Sequence, residues 1–216
     1  MKRRDFSLAA SAALTLPLMA SGPALAQGKP PQEGIDYLTL DKRAPVDGAP
    51  GKIEIIEFFW YSCPHCNAFE PSFDAWTKKV PKDVVVRRVL VAFRDSFVPQ
   101  QRLFYTLEAM NKLEDLHRKV FHAIHVEKQK VDTQDTITAW IEKQGVDKAQ
   151  FTEFYNSFAV QTKARRATQI QDAYKVSGVP ALGVAGRFYT DGSQAGTMER
   201  ALQVVEFLAG EIRKGK

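Results

Sequence analysis

The sequence contains two cysteines, Cys63 and Cys66, three residues apart and separated by Pro64 and His65. At the start of a helix this spacing puts both sulfurs on one side of the first turn, within disulfide reach. Pro64 suits the first helical position, where a missing N–H costs nothing. Cys63 then sits at the positive end of the helix, where free N–H groups and the macrodipole stabilise a thiolate. His65 can add positive charge or a hydrogen bond to the same sulfur. A stabilised thiolate favours the reduced pair, so the corresponding disulfide is a strong oxidant. Cys66, one turn into the helix, is expected to be the more buried, resolving thiol. The chemistry these residues point to is thiol–disulfide exchange.

Competing readings are a metal site or a purely structural disulfide. Zinc needs about four ligands, which two thiolates and distant histidines would have to supply through folding. A c-type haem needs His directly after the second cysteine, and Asn67 stands there. No further cysteine is available for an iron–sulfur cluster. A disulfide closing so small a loop adds little stability. His117, His122 and His125 recur at helical spacing, but no Cys, Asp or Glu nearby completes a ligand set. They are expected at surface or partly buried helix positions. No metal and no cofactor is expected. Glu57 is the other residue of interest, because a carboxylate in an apolar strand is costly without a partner or a task. Its alternative is an edge or bulge position in water, since Glu54 in the same strand is tolerated.

These residues need a scaffold. Ile53–Phe59 is a nearly continuous run of β-branched and aromatic residues, as in a central strand buried on both faces. A helical pattern follows the cysteines, with Phe69, Phe73, Trp76 and Val80 on one face, Pro71 inside it and an end near Asp83. Val84–Val91 reads as a second strand, and the strand–helix–strand order makes the two strands parallel. From 99 to 168 apolar residues recur at helical spacing and strand signals are absent, so this stretch is read as an all-helical insertion. Strand texture returns at 181–185 and 187–190, with a turn signal at Asp191-Gly192. Thr197-Met198-Glu199 opens a last amphipathic helix through Leu208. Tyr37–Leu40 reads as a short edge strand.

Lys2, Arg3 and Arg4, an apolar run from Leu8 to Met19 and the small-x-small Ala24-Leu25-Ala26 together form a secretory leader over residues 1–26. The Arg3-Arg4 pair admits a twin-arginine route beside the general one. Either route ends outside the cytoplasm. The whole chain has net charge +5, and the leader holds three basic residues and one acidic, so the remainder is mildly basic. Its Lys and Arg are spread rather than clustered, which argues against a nucleic-acid partner. An exported chain usually collects cysteines as staples. With only two, these are read as redox-active.

A Cys-x-x-Cys beside a strand–helix–strand pattern marks a thioredoxin-like redox motif. The segment Glu57-Phe58-Phe59-Trp60-Tyr61-Ser62-Cys63-Pro64-His65-Cys66 resembles the active site of the DsbA family of periplasmic disulfide oxidoreductases. Ser177-Gly178-Val179-Pro180 resembles that family's cis-proline loop. The resemblance covers essentially the whole chain after the leader, and the two motifs carry most of its specificity. It implies an α/β thioredoxin fold with an all-helical domain inserted between its two halves. The first half would be 27–98, the insertion 99–168 and the second half 169–216. It further implies a cis Pro180 facing the cysteine pair and a Val179 backbone that pairs with an extended substrate peptide. Glu57 would be the buried acid that relays a proton to the resolving cysteine, with Arg87 and Arg88 the nearest basic candidates as its partner. A low pKa at the first cysteine and an oxidising pair are properties of the family itself. Expected partners are cysteine-containing exported proteins as substrates and a quinone-linked, DsbB-type membrane oxidase, with the chain a monomer in the periplasm. Trp60 and Tyr61 would border an apolar groove for unfolded substrates, while Phe58 and Phe69 lie in the core. The rival functions are a reductase or isomerase on the same fold, and a binding or chaperone module without catalysis.

Overall fold

The computed structural model describes residues 29–215, so the expected leader at 1–26 lies outside the described residues. The folded unit that carries the cysteines begins at Pro31. Its sheet has five strands: β1 (Leu38–Thr39), β2 (Ile53–Phe59), β3 (Val84–Leu90), β4 (Ala181–Val184) and β5 (Phe188–Asp191), in the order β1-β5-β4-β2-β3. All seven residues of β2 are buried, Glu54 and Glu57 included, as its nearly continuous apolar run implies. It pairs in parallel with β3 and antiparallel with β4. The parallel register sets Glu57 beside Arg88 and Ile56 beside Arg87.

Alternation along β2 sends successive side chains to opposite faces. Ile53 and Ile55 join Phe69 and Phe73 of α1 (Pro64–Thr77) and Val205 and Leu208 of α8 (Met198–Arg213) in one core. Ile56 and Phe58 join Leu103, Phe104, Val120 and Ile170 in the other. That second core belongs to α2 (Val98–Ala109), α3 (Leu113–His125), α4 (Gln134–Lys143), α5 (Lys148–Asn156) and α6 (Phe158–Ala173), which follow one another without a strand. The range 99–168 read as an insertion falls inside this run. The mixed sheet, with helices gathered between its third and fourth strands in chain order, is the expected α/β class.

Several local expectations shift, each for a visible reason. Helix α1 runs through Pro71 and ends at Thr77 rather than near Asp83. Pro81 follows closely, and a residue preceding proline is pushed out of helical geometry, so Val80 lies beyond the helix. Helix α8 continues past Leu208 to Arg213, where Gly215, at φ +81°, lets the chain leave the helix. Asp191-Gly192 does not form the hairpin turn. Ala185 and Gly186, both at positive φ, connect β4 to β5, while Asp191 caps the one-turn helix α7 (Gly192–Ala195). A side chain at Gly186 would put its Cβ 2.4 Å from the Ala44 carbonyl oxygen. Among the described residues no helix is long and apolar enough to cross a membrane.

Candidate active site

Helix α1 begins at the cysteine pair. Cys63 is its N-cap in extended geometry, Pro64 is the first helical residue, and the Cys66 main-chain N–H points at Cys63 Sγ from 3.4 Å. Both thiols are free and buried, Cys66 fully. Pro64 and His65 between them are exposed. The Cys63 thiol is drawn down to about 6, chiefly because the Cys66 thiol donates a hydrogen bond to its sulfur. Burial opposes this, while the N–H groups of Cys66 and His65 and the charge of His65 reinforce it. The same asymmetry pushes Cys66 far up, first through burial and then through its role as donor to Cys63. One sulfur is thus prepared as a thiolate and its neighbour as a thiol.

A second segment closes over the pair. The Val179–Pro180 peptide is cis, as the resemblance implies, and the Val179 carbonyl lies 3.4 Å from Cys63 Sγ. Pro180 is buried and Val179 half-buried, so this carbonyl reaches the reactive sulfur from a chain segment otherwise packed into the fold.

The loop leading into Cys63 is held residue by residue. Trp60 stacks on Phe97 with ring centroids 3.8 Å apart and planes 7° from parallel. Tyr61 is fully buried, its hydroxyl 2.9 Å from His117 Nδ1 and its carbonyl 2.7 Å from His125 Nε2. A carbonyl only accepts, so His125 Nε2 carries the hydrogen there. Ser62 Oγ accepts from Gln100 Nε2 at 2.8 Å, and the same amide nitrogen donates to the Val131 carbonyl at 2.7 Å. The expectation that Tyr61 borders an open groove is therefore corrected: its ring packs among Phe59, Phe104 and Phe121. Trp60 stays half-exposed.

Glu57 is 1% exposed, which removes the water-facing alternative. Its Oε2 lies 3.2 Å from Arg88 Nε, so the basic partner on the adjacent strand is Arg88. Burial dominates its titration and raises the carboxyl to about 8; Arg88 pulls it down and the nearby Glu70 pushes it up. Glu54, the tolerated acid of the same strand, is also fully buried and meets Arg87 Nε at 3.2 Å and the Asp47 N–H at 3.1 Å. The reason is the same for both acids: each has an arginine from β3 within reach.

Comparison with known proteins decides the family. The model of the DSBA-like thioredoxin domain matches residues 91–203. A Bordetella parapertussis thiol:disulfide interchange protein DsbA is 41% identical over 208 residues, covering 96% of each chain. The chain belongs to the DsbA family. Its Pseudomonas aeruginosa relative of the same description is 39% identical over 180 residues, 83% of this chain and 85% of the other. The crystal structure of Pseudomonas aeruginosa DsbA superposes with a TM-score of 0.80 at 38% identity, covering 84% of this chain and 94% of that one. This DsbA-family chain is a thiol:disulfide oxidoreductase with a thioredoxin fold, working through a Cys-Pro-His-Cys pair.

Sequence reasoning missed His117, Glu70 and Gln100. His117 was expected at a surface or partly buried position, and the structure buries it at 4% exposure. Its spacing from Leu113, Leu116, Val120 and Phe121 places it on the apolar stripe of α3, and that periodicity was the available signal. Glu70 shares the side of α1 that carries Phe69 and Phe73, and all three are buried. His122 is exposed and His125 half-buried. Among the described residues no group of three or more His, Cys, Asp or Glu could hold a metal ion.

Proposed function

We propose that the chain acts as a disulfide donor to exported proteins in the periplasm, after removal of a leader at residues 1–26. The observation that carries this direction is the contrast between the two sulfurs: Cys63 is drawn down to about 6 while Cys66 is pushed far up. A substrate thiolate attacks Cys63 Sγ, the Cys63–Cys66 bond breaks, and Cys66 leaves and takes up a proton. A second substrate thiolate then attacks the substrate sulfur of the mixed disulfide, and Cys63 leaves as a stable thiolate. Two electrons pass from substrate to pair, and a quinone-linked DsbB-type oxidase in the membrane would take them on.

In this reading Cys63 is the attacked sulfur, Cys66 the resolving one, and Pro64 and His65 set the electrostatics between them. Glu57 supplies the proton that Cys66 takes up. Val179 and Pro180 present main chain beside Cys63, suited to an extended peptide laid across the site. The helical run between β3 and β4 serves as a domain inserted between halves 27–98 and 169–216. The reductase or isomerase reading differs only in the direction of electron flow.

Equilibration with glutathione buffers tests the direction. A reduction potential near or above about −150 mV is expected, whereas a value near about −270 mV, as in thioredoxin, would reverse the assignment. Cys63→Ser should abolish dithiol oxidation, and full activity in that variant would refute the mechanism.

A further inference from the structure

Beneath the cysteine pair lies a buried polar cluster drawn from four elements. Arg88 of β3 stands between two carboxyls, with Nε 3.2 Å from Glu57 Oε2 on β2 and NH2 donating to Glu70 Oε1 on α1 at 2.9 Å. Glu70 Oε2 in turn lies 3.3 Å from Nε2 of His117 on α3. The two acids and the histidine are buried, and the Arg88 side chain is 18% exposed. Two carboxylates against one guanidinium would leave a net negative charge inside the protein, which is expensive. The pair therefore retains one proton, and the surroundings decide where it rests.

The surroundings are unequal. Glu70 Oε1 accepts an aligned hydrogen bond from Arg88, whereas the other contacts, Glu57 Oε2 with Arg88 Nε and Glu70 Oε2 with His117 Nε2, are close but not aligned. His117 is kept neutral by burial. The Tyr61 hydroxyl, fully buried, holds its hydrogen and lies 2.9 Å from His117 Nδ1, and we assign it as the donor there. A neutral imidazole that accepts at Nδ1 carries its hydrogen at Nε2, the nitrogen that faces Glu70.

We propose that His117 is a positioning residue that decides which of two buried carboxyls holds their shared proton, fixing the anion at Glu70 and the proton at Glu57. The proposal rests on the reading that Glu57 delivers a proton to Cys66 as that sulfur leaves. Tyr61, two residues before Cys63, sets the tautomer, so the active-site loop and the buried acid are coupled through one imidazole. The charged and titratable groups facing His117 are Glu70 and Asp74 of α1, Arg88 of β3 and Tyr61 of the loop. The rest of its surface is covered by Phe59, Phe104 and Phe121.

The test is a carboxyl 13C titration of the glutamate-labelled full chain in its reduced form, with Glu57→Gln and Glu70→Gln supplying the assignments. The wild-type chain should show a neutral Glu57 and an ionised Glu70 at neutral pH; the opposite arrangement overturns the proposal without any variant. His117→Phe should move the proton toward Glu70. His117→Gln, whose amide reaches the Nε2 position, should restore the wild-type pattern. His117→Asn, which reaches only the Nδ1 position, should behave like the Phe variant. Dithiol oxidation near neutral pH should slow about tenfold in the Phe and Asn variants, less than the roughly 10²–10⁴-fold for outright loss of a positioned general acid, because Glu57 itself remains. The pH above which that rate falls should move down. An unchanged proton distribution in all three variants defeats the proposal. Absence of dithiol oxidation in the wild type, with the proton still on Glu57, would defeat the donor reading instead and leave the role of His117 intact.

Discussion

Replacing Cys66 with Ala removes the largest single influence on the Cys63 sulfur, the hydrogen bond from the Cys66 thiol. What remains is the pair of N–H groups from Cys66 and His65 and the charge of His65, against a burial cost that is unchanged. A hydrogen bond to a charged group contributes about 1.5–3 kcal/mol, and a thiol is a weak donor, so the low end applies. At 1.36 kcal/mol per pH unit this is about one unit. Cys63, at about 6 in the intact pair, should then titrate near 7, and its thiolate fraction at pH 7 should fall from about nine-tenths to about half. Cys66→Ser keeps a donor in place and should stay close to the parent. Ultraviolet thiolate absorbance followed against pH in both variants reads the difference directly, and alkylation rates provide a second measure. If Cys66→Ala titrates with Cys66→Ser, the helix terminus alone holds the thiolate and the reasoning fails. For an ordinary thiol nearly all of this stabilisation is absent at pH 7. The thiolate therefore favours the reduced pair by at most about 1.4 kcal/mol, or about 30 mV, less whatever solvent screens on the open side of the sulfur; it sets the direction and supplies only part of the roughly 120 mV between about −270 and −150 mV.

Two further perturbations probe the scaffold around the site. The Glu57 carboxyl is raised from 4.5 to about 8 in the folded chain, so the native state holds a proton that the unfolded chain has released. Its contribution to stability is present below 4.5 and is lost as pH rises through about 8, at up to about 1.4 kcal/mol per pH unit. Urea melts across that range should show the slope in the parent and a flatter profile in Glu57→Gln; an equal slope in both would place the titration elsewhere. Gly183→Ala would bring a Cβ to 2.4 Å from Tyr174 Cε1. Displacing that ring also disturbs its hydroxyl's hydrogen bond from the Gly186 N–H at 2.8 Å. A loss of about 1–3 kcal/mol in chemical denaturation is expected, and an unchanged midpoint would mean the ring moves freely.

The sequence makes the redox pair and its strand legible because both depend on local rules. A Cys-Pro-His-Cys segment after an apolar strand leaves few alternatives, and Pro64 and Cys63 occupy the helix start that their chemistry demands. The burial of Glu57 could be suspected from a carboxylate set in an apolar run, but its partner could not be fixed. Choosing Arg88 over Arg87 requires the β2–β3 register, which the sequence leaves open by one residue, and one residue reverses the face. The burial of Glu54 was hidden for the same reason, since it depends on Arg87 arriving from the neighbouring strand. His117 was hidden differently. Its position on the apolar stripe of α3 was readable, but that the stripe meets Tyr61 and Glu70 is a matter of how helices dock, which periodicity does not encode.

The tethers on the loop before Cys63 have a consequence for the growing chain. Trp60, Tyr61 and Ser62 are gripped by residues that lie between Phe97 and His125. The carbonyl that covers the Cys63 sulfur comes from 116 residues downstream. At ribosomal speeds of about 5–20 residues per second, the pair exists for on the order of ten seconds before that carbonyl has been made. The grips on the loop are made first, and through the rest of that interval the Cys63 sulfur lacks only the Val179 carbonyl beside it. The groups that make Cys63 acidic all lie within three residues of it, so its reactivity belongs to the first turn of α1, and only its cover waits for the end of the chain.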